Sequence, residues 1–287
     1  MHLTGFVHGN IELYIVVYSL TVSIVTWFPD HGLLGSVVES LVRAAVVAEQ
    51  QLSEMTLHVI DNSVNGSEVE ALERLLAAMD KRIQWQLHVA PRNLGFGVGH
   101  NQAITAVTSD FHLVLNPDAI LEPDAILEAL EYMQANPGVG VLVPLVVDSS
   151  GNQTFLCRRY PSALDLSLRA FAPGWLKRKF KDRLDAYEMR DALGDTSVCP
   201  VPIASGCFMF FRTGLLKSLG GFSRDFFMYF DDYDLCMRLH GKSEIAYVPA
   251  VRIIHHGGDA ARKGFRHIRM FSVSAVKFFS RWGWKWS

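Results

Sequence analysis

Cysteine is scarce in this chain of 287 residues: there are four, at 157, 199, 207 and 236, and no two form a C-x-x-C pair. That spacing offers neither a zinc site nor a disulfide framework, and it suits buried thiols in a reducing compartment. Charge of one sign is also lacking. Lys and Arg total 27 against 29 Asp and Glu, a formal net charge of −2, so there is no global electrostatic case for nucleic acid. Internal repeats and low-complexity tracts are absent, as is the basic start and cleavage site of a secretory signal. What is plentiful is apolar material: 49% hydrophobic against 20% charged residues is ample for a core and argues against disorder. The length fits one large α/β domain or two small ones.

One long apolar run, Ile11 to Phe28, is broken chiefly by Glu12, Ser19, Thr21 and Ser23. Its length is marginal for a membrane span. Its β-branched stretch Thr21 to Thr26 reads better as a buried parallel strand. Residues 1–20 then form an N-terminal extension, and the chain is expected to be cytoplasmic.

From there strand and helix alternate. Helical spacing covers Gly35 to Gln50, Glu68 to Met79, His100 to Val107 and Asp124 to Ala135; strands are expected at Leu57–Ile60, Trp85–Val89 and His112–Leu115. That alternation implies an α/β fold with a doubly wound, mainly parallel sheet and helices on both faces. Such sheets bind ligands outside the carboxyl ends of their strands. Thr26-Trp27, Asp61-Asn62 and Asn116-Pro117-Asp118 are three polar exits at such ends, expected to converge on one crevice. The stretch 148–200 is less regular and carries two basic clusters, Arg158-Arg159 and Lys177-Arg178-Lys179 with Lys181 and Arg183.

Several segments carry chemistry. Pro117 cannot donate to a ladder and stops its strand, leaving Asn116 and Asp118 as oxygen ligands for a hard cation; Asn, Pro and Asp are also ordinary turn formers. Asp61 could accept the imide N–H of a uracil or thymine ring, or serve turn chemistry with Asn62. Arg92 to Asn101, containing Asn93 and Gly95, has glycines spaced G-x-G-x-G after the third strand. It therefore lacks the first-strand fingerprint of a dinucleotide enzyme, which leaves an NAD-type oxidoreductase a remote alternative. The loop offers instead a backbone able to approach a ligand, with free N–H groups near His100, or simply a tight turn with packing glycines. In Gly220 to Arg238, aromatics at 226, 227, 229 and 230 run into Asp231, Asp232 and Asp234. A helix N-terminus favours ionised Asp231 and Asp232, while like charge and aromatic burial raise their pKa; a carboxylate so balanced can act as a general base. The rival is a capping cluster on a solvated helix start. Val251 to Gly258 is β-like and contains His255-His256, either of which could complete a metal site.

Together these residues resemble glycosyltransferase family 2, with a GT-A fold, over Thr21 to Gly264. Val59 to Ser63 resembles the base-binding turn, Asn93-Leu-Gly-Phe-Gly with Asn101 the N-L-G-F loop, and Asn116-Pro-Asp118 the N-P-D form of the D-x-D motif. Ala204 to Arg212 resembles the strand beside the acceptor, and Phe226 to Leu235 the F-F-x-Y-x-E-D-x-D-L segment. The resemblance implies a nucleotide-sugar half over 21–120 and an acceptor half over 121–264. It places Asp61 on the base, Asn116 by the sugar diphosphate, Asp118 and His255 on Mg²⁺ or Mn²⁺, and Asp232 as base, with Asp231 at the usual Glu position. Arg158-Arg-Tyr-Pro161 points within the family to rhamnosyltransferases of bacterial surface polysaccharide. Thr26 to Asp30 departs from the family's T-Y-N, and no Ser stands at Asp259 to Ala261. The implied reaction is inverting transfer of a sugar, first of all rhamnose from dTDP-rhamnose and alternatively a UDP- or GDP-sugar, to a polysaccharide or lipid-linked hydroxyl. A non-catalytic sugar-nucleotide-binding module is the other class.

Residues 265–287 interleave cations with aromatics, a composition suited to the face of an anionic bilayer. A final helix packed on the domain with a solvated basic face explains the same pattern. Arg262 and Lys263 precede it.

Overall fold

The computed structural model describes residues 2–8, 11–257 and 264–287, with side chains from residue 16 onward except that of Asn65. Gly258, the Asp259–Ala261 segment, Arg262 and Lys263 lie outside the described residues.

In chain order the elements are β1 (His2–His8), β2 (Ile11–Thr26), α1 (His31–Val47), β3 (Leu52–Asp61), α2 (Val69–Ala77), β4 (Ile83–Val89), α3 (Phe96–Ile104), β5 (Phe111–Leu115), β6 (Ala119–Leu121), α4 (Ala125–Ala135) and β7 (Val139–Val147). They continue with β8 (Cys157–Arg158), α5 (Ala163–Phe171), α6 (Gly174–Lys179), α7 (Lys181–Tyr187), β9 (Cys199–Pro200), β10 (Ile203–Ala204), β11 (Phe208–Arg212), α8 (Thr213–Ser218), α9 (Asp231–Leu239), β12 (Glu244–His255) and α10 (Phe265–Trp282). The main sheet runs β4-β3-β2-β5-β11-β7-β12-β6. Its first four strands are parallel, and β11 lies antiparallel between β5 and β7. β12 is parallel to β7, and β6 closes the order antiparallel to β12. The sheet is therefore mixed and mainly parallel.

Period-2 alternation in the strands divides the core. Phe111, Leu113 and Leu115 of β5, with Phe208 and Phe210 of β11, pack with α1, α2 and α4 on one face. Val114, Met209 and Phe211 between them pack with Leu216 of α8 and Leu235 of α9 on the other. In β2 the alternation is apolar against polar: Leu20, Val22 and Ile24 enter the first core, while Thr21 and Ser23 are buried opposite beside His100 of α3 and His112 of β5.

Two boundaries differ from expectation. The strand expected at 21–26 begins at Ile11 and pairs antiparallel with β1, so the apolar run is a strand rather than a span. Among the described residues no helix is long and apolar enough to cross a membrane. The helix expected at His100 begins at Phe96, so Gly97 and Gly99 are helical. Low glycine propensity hid this start; packing requires it. A Cβ on Gly97 would come 2.6 Å from the Phe222 Cβ, and one on Gly99 2.8 Å from Val25 Cγ2.

Candidate functional site

The site begins where β5 ends. Phe111–Leu115 is buried throughout, and at Pro117 the chain turns through Asn116-Pro117-Asp118 into β6. That strand runs antiparallel to the end of β12, with Ala119 opposite His255. The backbone N–H of His256 donates to the Asp118 carbonyl at 3.0 Å, tying the two segments together. This register brings His255 Nε2 to 3.2 Å from Asp118 Oδ1 and 3.1 Å from Asn116 Nδ2. His256 is exposed, so the histidine beside Asp118 is His255.

The second acidic segment reaches the same place from another direction. The Asn116 N–H donates to the Cys207 carbonyl at 2.9 Å, setting the loop Ser205–Cys207 beside the turn. Gly206 N–H in that loop donates to Asp232 Oδ2 at 3.0 Å. A Cβ on Gly206 would lie 2.8 Å from the Phe96 ring, so glycine permits this approach. Asn116, Asp118, His255, Gly206, Asp231 and Asp232 all line one cavity of about 590 Å³, within the usual range for ligand pockets.

Asp231 and Asp232 open α9 after two residues with left-handed backbone, Tyr229 at φ 66° and Phe230 at φ 62°. Such geometry costs roughly 1–3 kcal/mol per bulky residue and persists only where packing imposes it. Here α10 imposes it. Phe230 sits 5.2 Å from Phe271 and 5.3 Å from Phe278, ring to ring. Tyr229 OH lies 2.8 Å from His267 Nδ1, and Ser274 Oγ donates to the Met228 carbonyl at 2.8 Å. At the far end Asp234, fully buried, accepts from Arg281 at 2.8 Å, Trp282 at 3.1 Å and Arg238 at 2.9 Å.

Burial decides the electrostatic balance that the sequence leaves open. It pushes Asp231 up to about 7, and the neighbouring Asp232 charge adds to the rise. Burial also raises Asp232, opposed by the Gly206 N–H. The helix N-terminus does not prevail. Asp231 accepts from Gly97 N–H at 3.1 Å, so it ties α9 to the start of α3.

The nucleotide-side candidates lie elsewhere. β3, β2 and β5 are neighbours with Thr26 beside Asp61 and Ile24 beside Leu115, so the three exits share one sheet edge. The cavity starts only at Asn116; Asp61, Asn62, Arg92, Asn93, Gly95 and Asn101 do not line it. Asp61 is fully buried, with Oδ1 accepting from Ser63 N–H at 2.8 Å and Oδ2 without a hydrogen-bond partner. Trp27 and Phe28 stand about half exposed beside that edge, and Phe28 N–H donates to Ser63 Oγ at 2.9 Å.

Several of these groups have partners within the fold. Asn62 clamps the glycine loop, donating to the Gly95 carbonyl at 3.0 Å and accepting from Leu94 N–H at 3.3 Å. Asn93 Oδ1 accepts from Gly95 N–H at 2.9 Å. Asn101 bonds the Phe222 backbone twice, at 2.8 and 2.9 Å. At the helix start the N–H groups of Phe96 and Gly97 are taken by the Phe227 carbonyl and Asp231. A Cβ on Gly95 would fall 2.0 Å from that Phe227 carbonyl oxygen, so this glycine serves close packing against the segment before α9. Arg212, at the opposite end of β11 from the cavity, binds carbonyls of Met133 and Val139.

One wall of the cavity escaped the sequence reading. Arg158, Arg169 and Arg190 line it around Glu188. Of the three, only Arg158 belonged to a cluster seen in the sequence; Arg169 on α5 and Arg190 just past α7 are apart in sequence and meet through the packing of those helices.

Among the described residues no group of three His, Cys, Asp or Glu side chains is arranged as a metal cage. A carboxylate and an imidazole 3.2 Å apart, with an amide alongside, nonetheless suit a divalent cation whose other ligands are diphosphate and water oxygens. The residues present therefore fit Mg²⁺ or Mn²⁺.

Comparison with known proteins follows the same lines. The chain is similar to N-acetylglucosaminyl-diphospho-decaprenol L-rhamnosyltransferase of Mycobacterium tuberculosis, 29% identical over 177 residues, covering 57% of this chain and 56% of that protein. It is also similar to rhamnosyltransferase WbbL of Escherichia coli, 27% identical over 197 residues, covering 65% and 70%. The chain thus spans little more than half the length of the mycobacterial relative. Among solved structures, GalNAc-T7 with UDP, GalNAc and Mn²⁺ aligns with TM-score 0.60 at 13% identity over 84% of this chain and 43% of that one. Mannosyltransferase PcManGT from Pyrobaculum calidifontis, in complex with GDP-Man and Mn²⁺, aligns with TM-score 0.59 at 18% identity over 91% and 65%. These likenesses establish the GT-A fold. A family model described as "Glycosyltransferase like family 2" matches residues 18–272, nearly the whole chain, and the protein belongs to that family.

Proposed function

We propose that this chain catalyses inverting, metal-dependent transfer of a sugar from a nucleoside diphosphate to a hydroxyl acceptor. The observation that carries the reading is the single cavity shared by the Asp118–His255 pair and Asp232. Asp118 and His255 would hold Mg²⁺ or Mn²⁺, which neutralises diphosphate charge as the nucleotide departs. Asn116 lies beside the pair for the sugar diphosphate. Asp61, buried with one oxygen unpartnered at the same sheet edge, is the group for the base imide, and the exposed Trp27 and Phe28 rings stand ready to cover the base. Asp232 takes the proton of the acceptor hydroxyl as its oxygen attacks the anomeric carbon opposite the leaving group, which inverts that centre.

For donor and acceptor, two relatives whose names read as rhamnosyltransferases support rhamnose, first from its thymidine diphosphate. One of them is named for a lipid-diphosphate acceptor, which supports a lipid-linked or surface-polysaccharide acceptor here. Neighbours solved with UDP and GDP-mannose keep uridine- and guanosine-diphosphate sugars in the test panel. Peripheral contact with the inner face of the plasma membrane is supported by exposed Phe265, Trp284 and Trp286 on and after α10. Phe278 and Phe279 of that helix are buried on the domain and Lys277 and Arg281 turn back to Asp225 and Asp234, while Phe265, Arg266 and Arg269 at its start are exposed.

Titration calorimetry with thymidine, uridine and guanosine diphosphates plus Mn²⁺ tests the reading. One nucleotide should bind metal-dependently, and Asp118→Ala should weaken that binding at least about tenfold. Equal binding with and without metal would overturn the assignment of Asp118.

A further inference from the structure

The cavity has two electrical poles. Asp118, Asp231 and Asp232 stand on one; on the other stand Arg158, Arg169 and Arg190, with Glu188 the single carboxylate lining that wall. Glu188 meets Arg190 at 2.7 Å, Arg169 at 3.2 Å and Arg158 at 3.8 Å. Asp185 adds a contact to Arg190 at 3.3 Å from outside the lining. Three guanidiniums facing one lining carboxylate leave two positive charges in excess on that wall.

Arg158 makes the excess unusual. It is 4% exposed, and its closer partners are neutral, the carbonyls of Phe155 and of Cys157, the latter at 2.7 Å. A buried cation whose nearest carboxylate stands at 3.8 Å is costly unless something else compensates it. Forked guanidiniums match phosphate oxygens better than any other side chain does. Glu188 then acts as a spacer that holds the three forks in one array and reduces their mutual repulsion.

The wall also has a defined position. Arg158 lies over the Tyr187 ring at 5.7 Å, and Tyr187 OH bonds Tyr233 OH at 2.9 Å. Tyr233 follows Asp232 directly. Asp232, both tyrosines and the three arginines line the same cavity, and Arg158 is near enough to Asp232 for its charge to oppose the rise of that carboxyl, so a saccharide held at Asp232 would have its anion within reach of the guanidiniums.

We propose that Arg158, Arg169 and Arg190 form a second anion subsite, separate from the donor's diphosphate, which takes a phosphate or diphosphate carried by the acceptor. This rests on the reading of Asp232 as the group facing the acceptor and of Asp118 as the donor's metal ligand. The phosphate could belong to a lipid-linked saccharide or to a soluble sugar phosphate; both present the same oxygens.

Calorimetry on the full chain, with thymidine diphosphate and Mg²⁺ held saturating, separates the possibilities. Inorganic pyrophosphate and farnesyl diphosphate are the two probes. Wild type should bind one further equivalent, and the double variant Arg169→Gln, Arg190→Gln should weaken it at least about tenfold. Arg169→Lys, which keeps the charge but loses the fork, should weaken it less than the double variant does, and Arg159→Gln, which changes an exposed arginine paired with Asp191, should leave it unchanged. Asp118→Ala, titrated without nucleotide, should keep pyrophosphate binding while losing the metal-dependent nucleotide site. Tighter farnesyl diphosphate than pyrophosphate identifies a lipid-linked source, and equal affinity a soluble one. Absence of a second equivalent in folded wild type, or its persistence in the double variant, would overturn the subsite. If the double variant instead loses thymidine diphosphate, the arginines belong to the donor. Failure of the donor reading shows separately, as unaltered nucleotide binding in Asp118→Ala.

Discussion

Asp232 and Asp231 are adjacent, share a helix start and differ in surroundings. Asp231 is held between α3 and α9 by Gly97 N–H, and burial pushes it up to about 7. Asp232 is half-buried on the cavity, accepts from Gly206, and is also raised by burial. A base must be ionised to accept a proton, so activity should fall on acidification from a point above the ordinary carboxylate range. A pH–rate profile whose acid limb lies at ordinary carboxylate values would contradict this. Asp232→Asn should lower turnover at least about a hundredfold while donor affinity stays nearly constant, measured by steady-state kinetics beside calorimetry. The same change at an indirect, purely structural position would instead alter thermal stability along with rate.

At the level of elements, the start of α3 and the segment before α9 are built as one unit. Phe96 N–H donates to the Phe227 carbonyl at 3.0 Å, and Gly97 sits against Phe222. Gly97→Ala should therefore cost about 1–3 kcal/mol through overpacking, read from urea denaturation. Gly214 in α8 is the control: a Cβ there meets nothing within 4 Å. Gly214→Ala should stabilise by about 0.4–1 kcal/mol, chiefly through the unfolded chain. Equal effects at the two positions would show that the close approach at Gly97 is not real. The α10 helix acts on this same unit from outside, through the Arg281–Asp234 pair and the rings around Phe230.

For the molecule as a whole, the parallel half of the sheet carries a buried polar seam. His100 Nδ1 meets Ser23 Oγ at 2.7 Å, Ser23 meets His112 Nε2 at 2.9 Å, and His112 Nδ1 meets Thr21 Oγ1 at 2.8 Å. His58 and His88 lie 2.9 Å apart nearby on β3 and β4. Burial lowers all four imidazoles, His58 to about 4 and His112 to about 3. A lowered histidine is neutral when folded and takes up a proton more readily when unfolded. Its contribution is complete above the unfolded value near 6.5 and is lost as pH falls below it, by roughly 1 kcal/mol per pH unit for a deeply buried ring. Raised carboxyls act oppositely between their ordinary range and about 7, where the folded state binds the extra proton. Four histidines outnumber Asp231 and Asp232, so urea midpoints should drop between pH 6.5 and 4.5. Asp231→Asn removes one opposing group and should steepen that drop; a flat profile in both proteins would refute the argument.

Much of this was legible in one dimension because it depends on near neighbours. Alternating β-branched runs, amphipathic helices, a proline stop at 117 and aromatics leading into Asp231 are local patterns, and they determine the α/β layering and the two acidic segments. Leu113 and Val114 could be assigned to opposite faces from spacing alone. Other features depend on partners distant in the chain. Only the pairing of β6 with β12 selects His255 over His256, and only the contact of Asn116 with Cys207 brings Asp118 and Asp232 to one cavity. The hydrogen bonds by which Asn62 and Asn101 hold loops together join residues distant in the sequence and had no local signal. Of the arginine wall only Arg158 stood in a motif; Arg169 on α5 and Arg190 just past α7 had no signature, since the three charges meet through packing of separate elements. Periodicity records which face a residue takes; it carries no information on which distant residue shares that face.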